Sequence, residues 1–131
     1  MNKRQLGKTD INLTAIGFGG APLGNLFENL DERNCYDILE KSYEKGINIY
    51  DTSPLYGYGL SEHRLGNFLK TVDEDSYFLS TKVGRYLTPA KKDNIDRGRF
   101  AGSLNFSPNL DYSYDGVMSC LLYTSDAADD P

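Results

Sequence analysis

Asp51, Tyr56 and Lys82 are residue types that together suit proton transfer to or from a carbonyl oxygen. A tyrosine has a reference pKa of about 10, so it exchanges protons near neutral pH only where a neighbour stabilises its phenolate. Lys82 would supply that positive charge, and Asp51 would keep the lysine charged and in place by pairing with it. The set predicts acid–base chemistry at a carbonyl or hydroxyl group.

The elements around these residues decide whether their side chains meet. Asp51 ends an apolar stretch, Tyr56 follows in the same loop, and Lys82 ends a second apolar stretch 31 positions after Asp51. That separation suits one strand–helix–strand unit, so Asp51 and Lys82 would lie at the carboxyl ends of adjacent parallel strands, where such sheets bind ligands. Spacing alone leaves a structural interpretation open, in which Asp51 caps a turn, Tyr56 packs and Lys82 is solvated.

Strand and helix patterns alternate along residues 1–83. A short hairpin is predicted first, with strands at Arg4–Leu6 and Ile11–Leu13. Apolar runs then predict strands, and helical periodicity with capping and glycine signals predicts helices between them. The predicted order is a strand at Thr14–Phe18, a helix from Asp31 to Gly46, a strand at Ile47–Tyr50, a helix capped by Ser61 and a strand at Tyr77–Val83.

The segment Arg85–Tyr114 shows neither periodicity and is rich in Gly, Pro, Asn and Asp, so we expect a long functional loop. It carries a loose basic cluster, which could meet a cofactor phosphate or an anionic substrate or could simply be solvated: Lys91, Lys92, Arg97 and Arg99. Aromatic residues in and near the loop could wall a sugar pocket or serve ordinary packing: Tyr58, Phe100, Phe106, Tyr112 and Tyr114.

Length and composition fit one small globular domain. The chain has 131 residues, 39% of them hydrophobic and 25% charged, with a net charge of −5. No window approaches the roughly 18 apolar residues of a membrane-spanning helix, and the negative charge disfavours nucleic-acid binding. Met1–Asp10 lacks the apolar core of a signal peptide, and Cys35 and Cys120 make no disulfide framework. We expect a cytoplasmic protein whose partners are small molecules, with no metal site.

The end of the chain differs in character from the rest. Residues 120–131 read CLLYTSDAADDP, and the first ten of these letters resemble the read-through translation of a sequencing-library adapter. We expect residues 1–119 to be the natural sequence and residues 120–131 to be foreign. The natural part then carries 14 basic against 16 acidic residues, a net charge of −2, and Cys35 as its one cysteine.

Three short motifs resemble the signature of the aldo-keto reductase family. They are Asp51-Thr52-Ser53-Pro54-Leu55-Tyr56-Gly57, Ser61-Glu62 with Leu65-Gly66, and Ser80-Thr81-Lys82-Val83-Gly84. Further segments are most similar to the aldose 1-dehydrogenase branch, which oxidises sugars at C1 to lactones: Gly19–Asn25, Phe100–Gly102 and Asp111–Met118. The resemblance covers residues 3–118.

The resemblance implies that residues 1–119 are the N-terminal part of a (β/α)8 barrel of the TIM type, an α/β fold preceded by a β-hairpin and truncated after about three strands. It also implies an oxidoreductase that uses NAD or NADP to interconvert a small sugar or aldehyde with its oxidised or reduced form. Tyr56 would be the general acid or base, Lys82 would stabilise its phenolate, and Asp51 would pair with Lys82.

The resemblance further implies a cofactor-binding set made of Gly20, Ala21 and Asp51. The family's catalytic histidine, at the end of the fourth strand, has no match, because the chain stops before that strand; the one histidine of the chain, His63, is expected on the exposed face of a helix. Two alternatives stay open: a cofactor-sensing, non-catalytic binding subunit on the same barrel, and a truncated reading frame without a function of its own. Because a closed barrel typically needs about 250 residues, we expect the 131-residue chain itself to be inactive.

Overall fold

A computed structural model describes residues 1–90 and 96–126, with the backbone alone for 121–126. In chain order the elements are β1 (Lys3–Gln5), β2 (Asn12–Thr14), β3 (Phe18–Gly19), α1 (Glu32–Glu44), β4 (Ile49–Asp51), α2 (Leu60–Leu69), β5 (Phe78–Ser80), β6 (Arg85–Pro89), β7 (Phe106–Leu110) and α3 (Tyr114–Asp126). Short 3-10 helices lie at Ala21–Gly24 and Glu74–Ser76.

The predicted N-terminal hairpin is confirmed, with its strands shifted by a residue. β1 and β2 pair antiparallel, with Lys3 opposite Thr14, and Gly7 turns the chain at φ 57°. Thr14 therefore ends this hairpin and does not begin the next strand. Thr14 is held there by Asn48, since the Thr14 N–H donates to Asn48 Oδ1 at 2.7 Å and the Asn48 N–H donates to Thr14 Oγ1 at 3.2 Å.

A three-stranded parallel sheet lies at the centre of the fold, in the order β3-β4-β5. Gly19 pairs with Asp51, and Asp51 pairs with Ser80. The carboxyl ends of all three strands therefore meet at one edge, as the sequence predicts. β5 is shorter than the predicted Tyr77–Val83, because within the described residues it has only β4 to pair with.

The helix α1 begins and ends at the predicted signals. The Asp31 carboxylate accepts a hydrogen bond from the Asn34 N–H at 2.9 Å, which satisfies one of the free donors of the first turn. Gly46 follows the helix with a φ of 78°, a conformation that glycine adopts without steric cost. Sequence signals of this kind act over three or four residues, so they locate α1 without any tertiary information.

The prediction that Ser61 caps the second helix is wrong. The residue before α2 is Gly59, at φ 96°, and no side chain caps the helix. Ser61 lies in the first turn and is completely buried. Its hydroxyl donates to the carbonyl of Gly20 at 2.7 Å, because this distant partner competes successfully with the local capping geometry.

The hydrophobic core lies between the sheet and one face of each of α1 and α2. Tyr50, in the middle strand, is fully buried, and its ring packs against Phe18 with a centroid separation of 5.6 Å. The core consists of Leu23, Cys35, Leu39, Tyr50, Leu65, Phe68 and Leu69. It fixes β4, whose end carries Asp51, against both helices.

The expectation of one continuous loop over Arg85–Tyr114 is wrong in part, because two five-residue stretches of this segment pair as the strands of a β-hairpin. β6 and β7 pair antiparallel over five residue pairs, from Arg85 opposite Leu110 to Pro89 opposite Phe106. Proline is poorly tolerated in strands, and both strands contain one, so the residue pattern conceals the pairing. The hairpin is stabilised by long-range backbone hydrogen bonds that no short window reveals. Residues 91–95, which include Lys91 and Lys92 of the basic cluster, lie outside the described residues.

Candidate active site

Two of the three predicted catalytic residues meet at the carboxyl edge of the sheet. Asp51 ends β4 and Lys82 follows β5, and the Lys82 Nζ lies 2.6 Å from Asp51 Oδ1. Lys82 also donates to the carbonyl of Thr52 at 3.0 Å, and the Ser80 hydroxyl donates to Asp51 at 2.8 Å. The pair is nearly half exposed, at 47% for Lys82 and 42% for Asp51, so a ligand can reach it.

The surroundings of Asp51 favour its ionised form. Partial desolvation raises the pKa of Asp51, but the hydrogen bonds from Lys82 and Ser80 and the charge of Lys82 outweigh it. The net result is a pKa of the Asp51 carboxyl below its ordinary value. The carboxylate therefore keeps its charge, and with it its partner, into acidic solution.

Tyr56 lies in the loop after β4, half-buried, with its ring stacked on Phe100. The two ring centroids are 6.1 Å apart, and the planes are inclined by 30°. Within the described residues, no hydrogen bond joins the Tyr56 hydroxyl to Lys82. The structure thus brings Asp51 and Lys82 into contact and leaves the hydroxyl of Tyr56 outside that pair.

A tight turn presents Tyr56. Gly57, Tyr58 and Gly59 all have positive φ, at 68°, 54° and 96°, so the chain reverses sharply before α2. Gly24 packs directly on this turn, since a Cβ added at Gly24 would lie 2.3 Å from the carbonyl carbon of Tyr56. The short 3-10 helix at Ala21–Gly24 therefore fixes the position of the Tyr56 backbone at this edge of the sheet.

Gly20 and Ala21, the predicted cofactor residues, lie at the end of β3. The Gly20 N–H donates to the carbonyl of Asp51 at 2.7 Å, and its carbonyl accepts from Ser61. The Ser61 hydroxyl also lies 2.9 Å from Thr52 Oγ1. The backbone polar groups of Gly20 are thus satisfied inside the protein, and the glycine is needed because a Cβ would lie 2.8 Å from Ser61 Oγ.

Glu62 and Thr81, which belong to the sequence motifs but carry no predicted role, also lie in this region. Glu62 accepts a hydrogen bond from the Thr81 hydroxyl at 2.7 Å; burial raises the pKa of Glu62, and this hydrogen bond only partly offsets the effect. A cleft of about 240 Å³ opens beside Lys82 and is lined in part by Glu62, Thr81 and Tyr86. The motifs point to Glu62 and Thr81, but the hydrogen bond between them and the cleft that they share with Tyr86 are not readable from the sequence.

His63, Arg97, Arg99 and several of the aromatic residues contact other side chains or are exposed. His63 is exposed, with Asn67 as its hydrogen-bond partner at 3.2 Å. The Arg97 guanidinium lies over the ring of Tyr58 at 5.7 Å, and that of Arg99 lies over Phe27 at 5.5 Å. Of the five aromatic residues, Phe100 contacts Tyr56, while Tyr112 and Tyr114 are 67% and 78% exposed.

Membrane-spanning helices, metal clusters and disulfides are absent from the parts of the chain that the structure describes. No helix there has the length and apolar character needed to cross a bilayer. Those parts likewise hold no group of three or more His, Cys, Asp or Glu side chains that could bind a metal ion. Neither Cys35 nor Cys120 forms a disulfide.

A hairpin followed by parallel strands and helices, with polar residues at the carboxyl edge, is the N-terminal part of a (β/α)8 barrel. The sequence model of the aldo/keto reductase family matches residues 15–107. The chain belongs to this family, and the resemblance drawn from the motifs is confirmed.

Individual relatives agree with this assignment. The chain is 43% identical over 126 residues to a pyridoxal 4-dehydrogenase of Microbacterium luteolum, covering 88% of this chain and 36% of that protein. It is 48% identical over 77 residues to a D-threo-aldose 1-dehydrogenase of a Pseudomonas species, covering 59% of this chain and 23% of that protein. A solved aldo-keto reductase of Bacillus halodurans has a TM-score of 0.65 and 30% identity, covering 92% of this chain and 34% of that one. The chain thus spans about a third or less of the length of these proteins.

Proposed function

We propose that the full-length protein containing this chain is an NAD(P)-dependent oxidoreductase that interconverts a small alcohol and the corresponding carbonyl compound. The observation that carries this proposal is the accessible ion pair between Asp51 and Lys82 at the ends of two adjacent parallel strands. Aldo-keto reductases use NAD(P) cofactors and small carbonyl substrates. The pair lies at the edge of the sheet where ligands of such barrels bind.

The carboxyl edge of the sheet fits one end of a dinucleotide. Gly19 is exposed, and a Cβ added there would meet nothing within 4 Å, so the backbone is open to a ligand. We assign Gly20 and Ala21 to the floor beneath it and Asp51 to its rim. When bound, NAD(P) supplies the donor or acceptor of the hydride.

The residues of the chain move the proton. In the direction of oxidation, the Tyr56 phenolate takes the proton of the substrate hydroxyl, and in the direction of reduction the phenol returns it to the carbonyl oxygen. The Tyr56 hydroxyl lies outside the Asp51–Lys82 pair in the structure, so the proposed transfer requires the side chain of Lys82 or Tyr56 to move when substrate and cofactor bind. The Lys82 ammonium then stabilises the phenolate, and Asp51 keeps that ammonium charged. The fixed turn after Tyr56 holds the phenol ring in place, and Phe100 covers one face of it.

The substrate class we propose is an aldose, oxidised at C1 to a lactone. The 48% identity to a D-threo-aldose 1-dehydrogenase supports it. The Phe100 ring beside Tyr56 also offers an apolar face of the kind on which the C–H surface of a sugar packs. Another small aldehyde or alcohol is the alternative substrate, and turnover of different substrates distinguishes the two.

The test is an assay of the full-length protein with NAD and NADP against aldoses, pyridoxal and small aldehydes. Tyr56→Phe is expected to lower turnover by about 100-fold or more and to leave cofactor binding, followed by fluorescence, unchanged. The matched control is Tyr58→Phe, two residues away in the same turn, which should keep near wild-type turnover. Undiminished turnover in Tyr56→Phe would refute the role of Tyr56.

The same assay tests the alternative of a cofactor-sensing, non-catalytic subunit. Cofactor binding without turnover of any carbonyl or alcohol would favour the non-catalytic subunit. We also propose that the 131-residue chain has no turnover by itself, because the three parallel strands form an open sheet within the described residues.

A further inference from the structure

Arg64, on α2, is a buried cation that the proposed proton transfer does not use. Its side chain is 5% exposed, and its charge is paired with Glu32 at 2.6 Å. Its other hydrogen bonds go to the loop between β3 and α1: to the Leu23 carbonyl at 2.7 Å, the Asn25 Oδ1 at 2.7 Å and the Leu30 carbonyl at 2.8 Å. A guanidinium is stable in the interior only when its donors are satisfied, and here one loop satisfies most of them.

The loop 23–30 adopts a conformation that needs such support. Asn25 and Phe27 both lie in the left-handed region, with φ of 63° and 72°; asparagine adopts this region readily, but a bulky phenylalanine is strained there. The same Asn25 oxygen that accepts from Arg64 also accepts from the Leu30 N–H at 3.1 Å. Arg64 and Asn25 together therefore close the loop across its two ends.

The loop contacts the backbone of Tyr56 directly and is linked to its ring through the segment that carries Phe100. Gly24 packs against the backbone of Tyr56 so closely that even a methyl group would overlap with it. The Asn25 carbonyl accepts from the Ala101 N–H at 3.1 Å, and the neighbouring Phe100 is the residue whose ring stacks on Tyr56. Any displacement of the loop would shift both contacts.

We propose that Arg64 is a positioning residue for Tyr56. It acts through the loop 23–30 and does not touch the reacting atoms. The inference rests on the proposed role of Tyr56 in proton transfer. The planar fork of the guanidinium is essential, because a lysine would keep the charge but could not bind the acceptors of the loop in the same geometry.

The experiment compares Arg64→Gln, Arg64→Lys and wild type in the full-length protein, with Arg33→Gln as the matched control. Arg33 is exposed on α1, so its loss should change nothing. Hydrogen–deuterium exchange is expected to rise in peptides covering residues 23–30, 55–60 and 99–104 of the Arg64→Gln protein. In the same variant kcat should fall by about 100-fold, as expected for an ångström-scale misplacement, while the KM for the cofactor stays unchanged. Arg64→Lys should recover only part of the loss.

Two outcomes would overturn the proposal: wild-type exchange in all three segments of a folded Arg64→Gln protein, or an equal loss in kcat and in cofactor affinity. Should Arg64→Gln fail to fold, Asn25→Gly provides the test, because it keeps the positive φ but removes the acceptor that Arg64 binds. It should raise exchange in the same three segments. If the wild-type protein turns over no substrate, the proposed function fails, and the exchange measurements still decide whether Arg64 positions the loop.

Discussion

At the scale of single residues, the ion pair between Asp51 and Lys82 matters for chemistry more than for stability. Both side chains are nearly half exposed, and exposed pairs contribute only about 0.2–1 kcal/mol to folding. We therefore expect Asp51→Asn in the full-length protein to lower turnover strongly and to change the thermal midpoint little. Kinetics and thermal melts on the same preparation measure both, with the exposed Asp10→Asn as control.

The lowered pKa of Asp51 sets the pH range over which its pairing with Lys82 stabilises the fold. A carboxyl with a depressed folded pKa stabilises the fold above its unfolded pKa, and the contribution is lost as pH falls through the folded value. The small stability difference between wild type and Asp51→Asn should thus persist at neutral pH and vanish in strong acid. A difference that grows on acidification would contradict the assigned pairing.

Glu62 is expected to give the opposite pH dependence of stability to that of Asp51. Its pKa is raised, chiefly by burial, so the folded state binds a proton more tightly than the unfolded state, and stability declines as pH rises through the raised pKa. Glu62→Gln should therefore unfold at a higher temperature than wild type at neutral pH, since the amide oxygen can still accept from Thr81. The advantage should shrink as pH falls, and the exposed Glu40→Gln should show neither effect.

The sequence predicts the residues of the site better than their contacts. Asp51 and Lys82 end two recognisable strands, and strand ends meet at one edge, so their proximity follows from topology. The stacking of Phe100 on Tyr56 does not, because the two residues lie in different loops that approach each other only in the folded chain. Ser61 shows the same limit, since its local signal is that of a cap while its actual partner is Gly20.

At the scale of elements, the 3-10 helix at Ala21–Gly24 and the turn after β4 pack against each other as one unit. Gly24→Ala should disrupt that unit, because the added Cβ would lie 2.3 Å from the backbone of Tyr56. We expect destabilisation of about 1–3 kcal/mol, as for overpacked interiors, together with a loss of turnover. Chemical denaturation and kinetics of the full-length protein measure the two effects.

Gly66, within α2, is the matched control for Gly24. A Cβ added there meets nothing within 4 Å, and alanine favours a helix over glycine by roughly 0.5–1 kcal/mol. Gly66→Ala should therefore stabilise the protein slightly and keep its activity. Equal behaviour of the two variants would contradict the close packing of the loop on the turn.

Elements with local signals are predictable from this sequence, and elements formed by distant pairing are not. α1 follows from its helical periodicity, the cap Asp31 and the stop at Gly46. The sequence conceals the hairpin of β6 and β7 for two reasons. Pro89 and Pro108 lie within its strands, and sixteen residues, 90–105, separate one strand from the other. The expectation of a continuous loop over this segment was wrong for these reasons.

At the scale of the whole molecule, the chain exposes large apolar side chains, one of them in a strand at the edge of the parallel sheet. Leu79, in the strand at the edge of the parallel sheet, is 54% exposed, and Ile16 is 62% exposed. Unpaired strand edges with apolar surface promote aggregation. We expect the purified 131-residue chain to self-associate in size-exclusion chromatography and to bind a hydrophobic dye. A stable monomer that oxidised an aldose with NAD(P) would overturn this prediction.

The assignment of residues 120–131 to a foreign segment stays a prediction. The helix α3 runs across the proposed boundary, from Tyr114 to Asp126, and residues 127–131 lie outside the described part of the chain. Long-read sequencing of the source DNA across the codons for Met118 to Leu122 decides the matter. We expect the reading frame to continue from Met118 into further barrel sequence, whereas a DNA that encodes the printed tail would establish the segment as native.

The short span of the Asp51–Lys82 pair has a consequence for synthesis on the ribosome. Among the residues that the structure describes, the hydrogen-bond partners of the two side chains all lie between residues 51 and 82, and the strands β4 and β5 are neighbours in the sheet. Chains fold from the N-terminus as they emerge, at about 5–20 residues per second. This half of the site can thus assemble within seconds of its own translation, and later strands of a barrel would close around a charged pair that is already formed.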